Sequence, residues 1–200
     1  GTSLIGMRPG QVRTAIEELT VRSEPLYDFL SSQVLQTRSG TMRRVLSVAS
    51  ILERVEPTLV LAAMTGDDRL SRRRIEIFLA QAEASGVISR TASSGRWWRF
   101  HPLIRDFASS QLLERTSRRS LLEMHLRVAR AAEPLDWAVS AHHYIEADHR
   151  ADAMRVLRES AIEALGTASW GVATTLADRM PDQPVPEAVT VLRAYTMAAD

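Results

Sequence analysis

The stretch from Gly86 to Ala108 constrains the fold more than any other part of this 200-residue chain, because it interrupts an otherwise helical pattern. Two β-type runs, Val87 to Thr91 and Arg96 to His101, flank the turn-prone Ala92-Ser93-Ser94-Gly95, the pattern of a hairpin with a loop of about four residues. A helix follows at once. Pro102 suits a first helical position, where its missing N–H costs nothing, and Ile104, Phe107, Ala108 and Leu112 recur behind it at helical spacing. In the second run, alternation sets Arg96, Trp98 and Phe100 on one face and Trp97, Arg99 and His101 on the other. Trp98 and Phe100 are the expected core face, which leaves His101 at the strand end beside a helix N-terminus. Free N–H groups and the helix dipole favour an anion there, and an imidazole can donate a further hydrogen bond. The plainer reading is that His101 satisfies local backbone groups.

Upstream of the hairpin the chain reads as a helical block. Leu26, Leu30 and Val34 form one stripe; Met42, Val45, Leu46, Ala49 and Leu52 a second; Leu59, Val60, Ala63 and Met64 a third. Ser71 can cap a helix carrying Ile75, Phe78, Leu79 and Ala82, and Gly86 is placed to end it. Helices followed at once by a hairpin make the order of a winged-helix domain. In that order the helix after Ser71 occupies the recognition position, with Arg72, Arg73 and Arg74 in its first turn, where arginines can meet phosphates or guanine edges. A solvated helix face is the alternative, with Asp67, Asp68 and Glu76 offsetting the charge.

From Ser117 onward short helices succeed one another: Leu121, His125, Val128 and Ala132 mark one face; Trp137, Ala141, Tyr144 and Ile145 the next; then Met154, Leu157 and Ala161; then Trp170, Ala173, Ala177 and Met180. A last helix is expected over 187–199. Trp137 and Trp170 stand 33 residues apart, near the roughly 34-residue period of tetratricopeptide-type helical pairs, so the segment reads as the start of a solenoid. The expected fold is therefore mainly α: a winged-helix domain with one β-hairpin, followed by TPR-like antiparallel helical repeats. His142, His143 and His149 lie close in sequence, but adjacent histidines on a helix point in different directions, so no metal site is expected from them.

Composition excludes several classes of function. The chain has no cysteine, hence no disulfide, thiolate metal site or cysteine nucleophile, and a reducing cytoplasm is the expected compartment. No apolar run approaches the roughly 20 residues of a membrane span. All 25 basic residues are arginine, spread among 24 acids for a net charge of +1, so bulk charge points to no nucleic-acid surface. With no lysine, a phosphate-binding Gly-x-x-x-x-Gly-Lys-Ser/Thr loop is impossible, and no nucleophile elbow, paired-carboxylate or zinc motif appears. No enzymatic activity is expected of this stretch alone. The opening Gly-Thr-Ser and the helical pattern at the end suggest a piece of a longer protein.

The run Trp98-Arg99-Phe100-His101-Pro102-Leu103-Ile104-Arg105-Asp106-Phe107 resembles the end of the winged-helix domain in the signal-transducing (STAND) ATPases that include the MalT-type LuxR-family transcriptional regulators, and is similar to the Met-His-Asp segment of the related NB-ARC proteins. Leu26 to Leu30, on through Leu52 to Gly66, looks like the corresponding segment of the MalT-type family, and Gly6 to Gly10 is similar to its Gly-x-Pro element. The resemblance implies an end of a helical lid at 1–22, a winged helix at 23–116 and a helical connector opening into a solenoid at 117–200. It further implies that His101 lies near the phosphates of ADP or ATP in the intact protein and that Pro9 sits against the adenine ring. Phe100 and Pro102 replace the family's methionine and aspartate, so only the histidine's role carries over.

The implied partners are an upstream nucleotide-binding domain and a downstream effector of the same chain, with a protein or small-molecule signal on the repeats. Direct DNA binding is not expected, because in that family the winged helix clamps within the molecule. The alternative is a winged-helix DNA-binding regulator with a helical ligand-sensing or dimerisation domain, reading DNA through Arg72, Arg73, Arg74, Arg96 and Arg99. A scaffold with no nucleotide role would leave His101 as packing.

Overall fold

Capping residues decide where each helical stripe begins and stops. A computed structural model describes residues 39–64, 70–91, 96–184, 187–191 and 194; Pro9, the segment 1–22, the stripe of Leu26, Leu30 and Val34, the turn 92–95 and part of the helix expected over 187–199 lie outside the described residues. Helix α1 (Gly40–Ala49) starts at Ser39, whose side chain accepts from the Met42 amide, and it buries Met42, Val45, Leu46, Val48 and Ala49. Helix α2 (Pro57–Ala63) starts at Glu56 with proline in the first turn. Helix α3 (Arg72–Ala84) is capped by Ser71 as its sequence predicts. Gly86, at φ +72°, ends it: the Gly86 N–H bonds Glu83 O and the Val87 N–H bonds Ala82 O, a left-handed closure that turns the chain into the first strand.

Strands β1 (Ile88–Arg90) and β2 (Trp98–Phe100) pair antiparallel, Ile88 opposite Phe100 and Arg90 opposite Trp98. They are shorter than the two expected runs. A third segment joins them through Val55, which exchanges backbone hydrogen bonds of 2.8 and 2.9 Å with Trp98. Helix α4 (Pro102–Arg115) follows with Pro102 in its first turn. Three helices, a hairpin and a further helix make the winged-helix architecture. Its core gathers Leu46, Leu52, Leu59, Ile75 and Leu79 with Trp98 and Phe100. Each fully buried aliphatic side chain there stabilises by about 1.5–3 kcal/mol.

Trp97 departs from the alternation. It is 8% exposed although it lies on the face opposite Trp98, because the Arg54 guanidinium stacks over its ring at 5.0 Å. Arg54 precedes the bridging Val55, so the third segment that extends the sheet also delivers a long side chain to cover its second face.

Five helices continue the chain: α5 (Arg118–Ala132), α6 (Trp137–Glu146), α7 (Arg150–Glu159), α8 (Ala161–Gly166) and α9 (Trp170–Asp178). Trp137 and Trp170 each occupy the first position of a helix. Ala161 does not share a helix with Met154 and Leu157, contrary to the expectation from its spacing; the chain leaves helical geometry at Ser160, which favours caps over helix interiors, and restarts as α8. Helix α5 belongs to two cores: Met124, Val128 and Ala132 pack with the winged helix, while Ala129 packs with Trp137, Ala141, Tyr144 and the helices beyond. The core therefore runs without a break across residue 117.

Candidate functional site

His101 stands at the N-cap of the 14-residue α4 and makes no side-chain capping bond. Its backbone N–H is committed to Val87 O at 3.2 Å, and its carbonyl accepts from the Ile104 and Arg105 amides. Strand β2 and the start of α4 thus fix its main chain and leave an exposed imidazole at a positive helix end. The imidazole makes no capping bond to the first turn of α4.

The five arginines considered for DNA contact have different surroundings. Arg72 and Arg96 both turn toward Glu56, at 3.6 and 3.9 Å. Glu56 is fully buried and accepts from the Thr58 amide at 2.6 Å, the Leu59 amide at 3.2 Å and the Thr58 hydroxyl at 3.2 Å. Arg72 also pairs with Glu76 at 3.3 Å. Arg74 lies 5.8 Å from the Phe78 ring centroid. Arg73 and Arg99 are exposed. One buried carboxylate therefore joins the start of α2, the start of α3 and the foot of the wing.

The second built region is the junction between the winged helix and the helices after it. Arg127 of α5 donates through Nε to Ala62 O and through Nη2 to Ala63 O, both at 3.0 Å, which caps the C-terminus of α2. The Ser140 hydroxyl of α6 donates to Ala129 O of α5 at 3.0 Å, wholly buried. Asp136, the N-cap of α6, accepts from the Val139 amide and forms an ion pair with Arg54 of the winged helix. Between these ties His125 and His143 face each other Nδ1 to Nδ1 at 2.8 Å, 9% and 1% exposed. His142 points elsewhere and accepts through Nδ1 from Arg179 at 2.9 Å, while His149 pairs with Asp152 at 3.2 Å. A cavity of about 540 Å³ opens beside the junction, lined by Arg99, Trp137, His142, His143, Glu163 and Val172 among others.

Burial holds the pKa values of His125 and His142 below the ordinary histidine value and that of His143 well below it. Among the described residues no group of three or more histidines, cysteines or acids is arranged to hold a metal ion, and no helix is long and apolar enough to cross a membrane.

Comparison with known proteins bears on the first half of this assembly. Residues 31–123 match the MalT winged helix domain family. This stretch, just under half of the chain, is similar to a MalT-type winged-helix domain. The chain is also 31% identical over 123 residues to the serine/threonine-protein kinase PknK of Mycobacterium tuberculosis, and equally to that of Mycobacterium bovis. That alignment takes in 60% of this chain and 10% of the relatives, so the chain spans a small part of their length. The match reaches into α5, the helix whose Met124, Val128 and Ala132 complete the winged-helix core.

Sequence reasoning missed Glu56, Arg127 and the His125–His143 pair. Glu56-Pro57 carries a readable signal, an acceptor side chain before a proline at a helix start. Arg127 and Ala62 are 65 residues apart, and His125 and His143 are 18 apart on different helices; no local pattern brings either pair together.

Proposed function

We propose that this segment is the non-catalytic regulatory part of a MalT-type, ATP/ADP-switched transcriptional regulator. The winged helix reports the nucleotide state within the molecule, and the helices from α5 onward form the start of a TPR-like surface for a signal. What carries this reading is the family match over 31–123 together with His101, an exposed and uncommitted imidazole at the head of α4. In the resting protein His101 donates to a phosphate of ADP held by an upstream nucleotide-binding domain, with Pro9 against the adenine. Exchange breaks that bond, frees the winged helix and lets the solenoid and effector assemble. The segment contributes a sensor and an interaction surface; catalytic groups belong to the upstream domain.

A DNA-reading role draws less support, because Arg72 and Arg96 are already engaged with a buried carboxylate and Arg74 with an aromatic ring. The test is effector output of the intact regulator without inducer: His101→Ala raises it, and unchanged output contradicts the assignment.

A further inference from the structure

One buried polar contact in the junction is not used by the sensor role. His125 of α5 and His143 of α6 are joined by a single hydrogen bond of 2.8 Å, with ring centroids 5.0 Å apart. Two neutral imidazoles make this bond only when one carries its proton on Nδ1 and the other on Nε2. A first added proton settles on the free Nε2 of the donor ring and leaves the N–H···N bond intact. A second must go to the acceptor Nδ1. It replaces the bond with two N–H groups facing each other and two positive charges in a water-poor site.

The charged surroundings do not absorb that change. From α6, Glu146 favours protonation of His125, but its carboxylate is bound to Arg179, and His142 opposes it. From α4, Arg105 opposes protonation of His143 and of His142; from the loop between α1 and α2, Glu53 acts on His142 alone. Around His143 every such influence works against a positive charge, and the neutral rings are the favoured state.

We propose that the His125–His143 pair is a proton-sensitive latch between α5, which is clamped to the winged helix, and α6, which begins the helical array. The latch is closed when the pair holds no added proton or one, and opens when it takes the second. The sign follows from the separated rings, which titrate near the ordinary value of about 6.5. The closed form excludes the second proton, so the open form gains as pH falls below that value, by up to about tenfold per pH unit. Well above that pH the latch is indifferent to pH. Opening separates α6 from α5 and breaks the Ser140–Ala129 bond with it, while Arg127 still ties α5 to α2.

The test is amide hydrogen exchange of α6 in the 1–200 chain at pH 7.5 and 5.5, corrected for the intrinsic chemical rate. Opening is expected to rise about tenfold between the two, and to become independent of pH in the double variant His125→Phe/His143→Leu, where an apolar contact replaces the pair. His142→Gln, which removes the outer histidine, is expected to keep the response. Equal opening at both pH values, a response that survives in the double variant, or one abolished by His142→Gln overturns the proposal. If the double variant does not fold, imidazole NMR of the wild type decides: both rings titrating below 6.5, one of them carrying its neutral-state proton on Nδ1, supports the latch. A ring titrating at or above 6.5 overturns it.

Discussion

Replacing Glu56 by alanine tests how the winged helix is held together. Its carboxylate caps α2 through the Thr58 and Leu59 amides at 2.6 and 3.2 Å while fully buried. Loss of an N-cap costs about 1–2 kcal/mol, and donors left unsatisfied in a buried position add about 1–3 kcal/mol. Arg72 and Arg96 contribute less: their side chains are 57% and 49% exposed, so solvent screens the pairs and rehydrates the guanidinium groups on release, which limits each to under about 1 kcal/mol. The expected loss for Glu56→Ala is about 3 kcal/mol, most of it from the cap. Glu56→Gln, which keeps one acceptor oxygen, should lose about half as much, and Arg72→Ala less than about 1 kcal/mol. Urea unfolding followed by tryptophan fluorescence measures all three, since Trp97 and Trp98 lie in this core. A loss below about 1 kcal/mol for Glu56→Ala, or an Arg72→Ala loss equal to it, refutes the division between cap and ion pair.

Two other substitutions probe the helical segment. Ala168 holds φ +54° at the end of α8, with its N–H on Leu165 O and the Ser169 N–H on Ala164 O, a position suited to glycine. Ala168→Gly should relieve about 1–2 kcal/mol of left-handed strain against about 0.4–1 kcal/mol of added unfolded-state entropy, a net gain near 0.5–1 kcal/mol; a loss in thermal unfolding contradicts that. Arg127→Ala removes two donors from the end of α2 and should destabilise by about 1.5–3 kcal/mol with faster amide exchange in α2, whereas unchanged exchange there refutes the clamp.

The fold was readable where the signal is local. Ser71, Gly86 and Pro102 punctuate the chain at the helix ends they mark, and Trp98 and Phe100 alternate into the core. Trp97 was not readable as buried, because its cover comes from Arg54 across the sheet. Of the site, His101 was legible as a strand-end residue before a helix. The engagement of Arg72 and Arg96 with Glu56 was not, because three elements have to meet before one carboxylate lies beside both arginines. The histidine pair has the same character: His125 sits on an apolar stripe like any core residue, and only the packing of α5 on α6 gives it a partner.

The central proposal is that His101 stabilises an ADP-bound resting state of the intact protein. Its most direct test is the rate of ADP release from the full-length parent protein, wild type against His101→Ala. A lost charge-assisted hydrogen bond is worth about 1.5–3 kcal/mol, so release should quicken by about ten- to a hundredfold. Release at the wild-type rate contradicts the account.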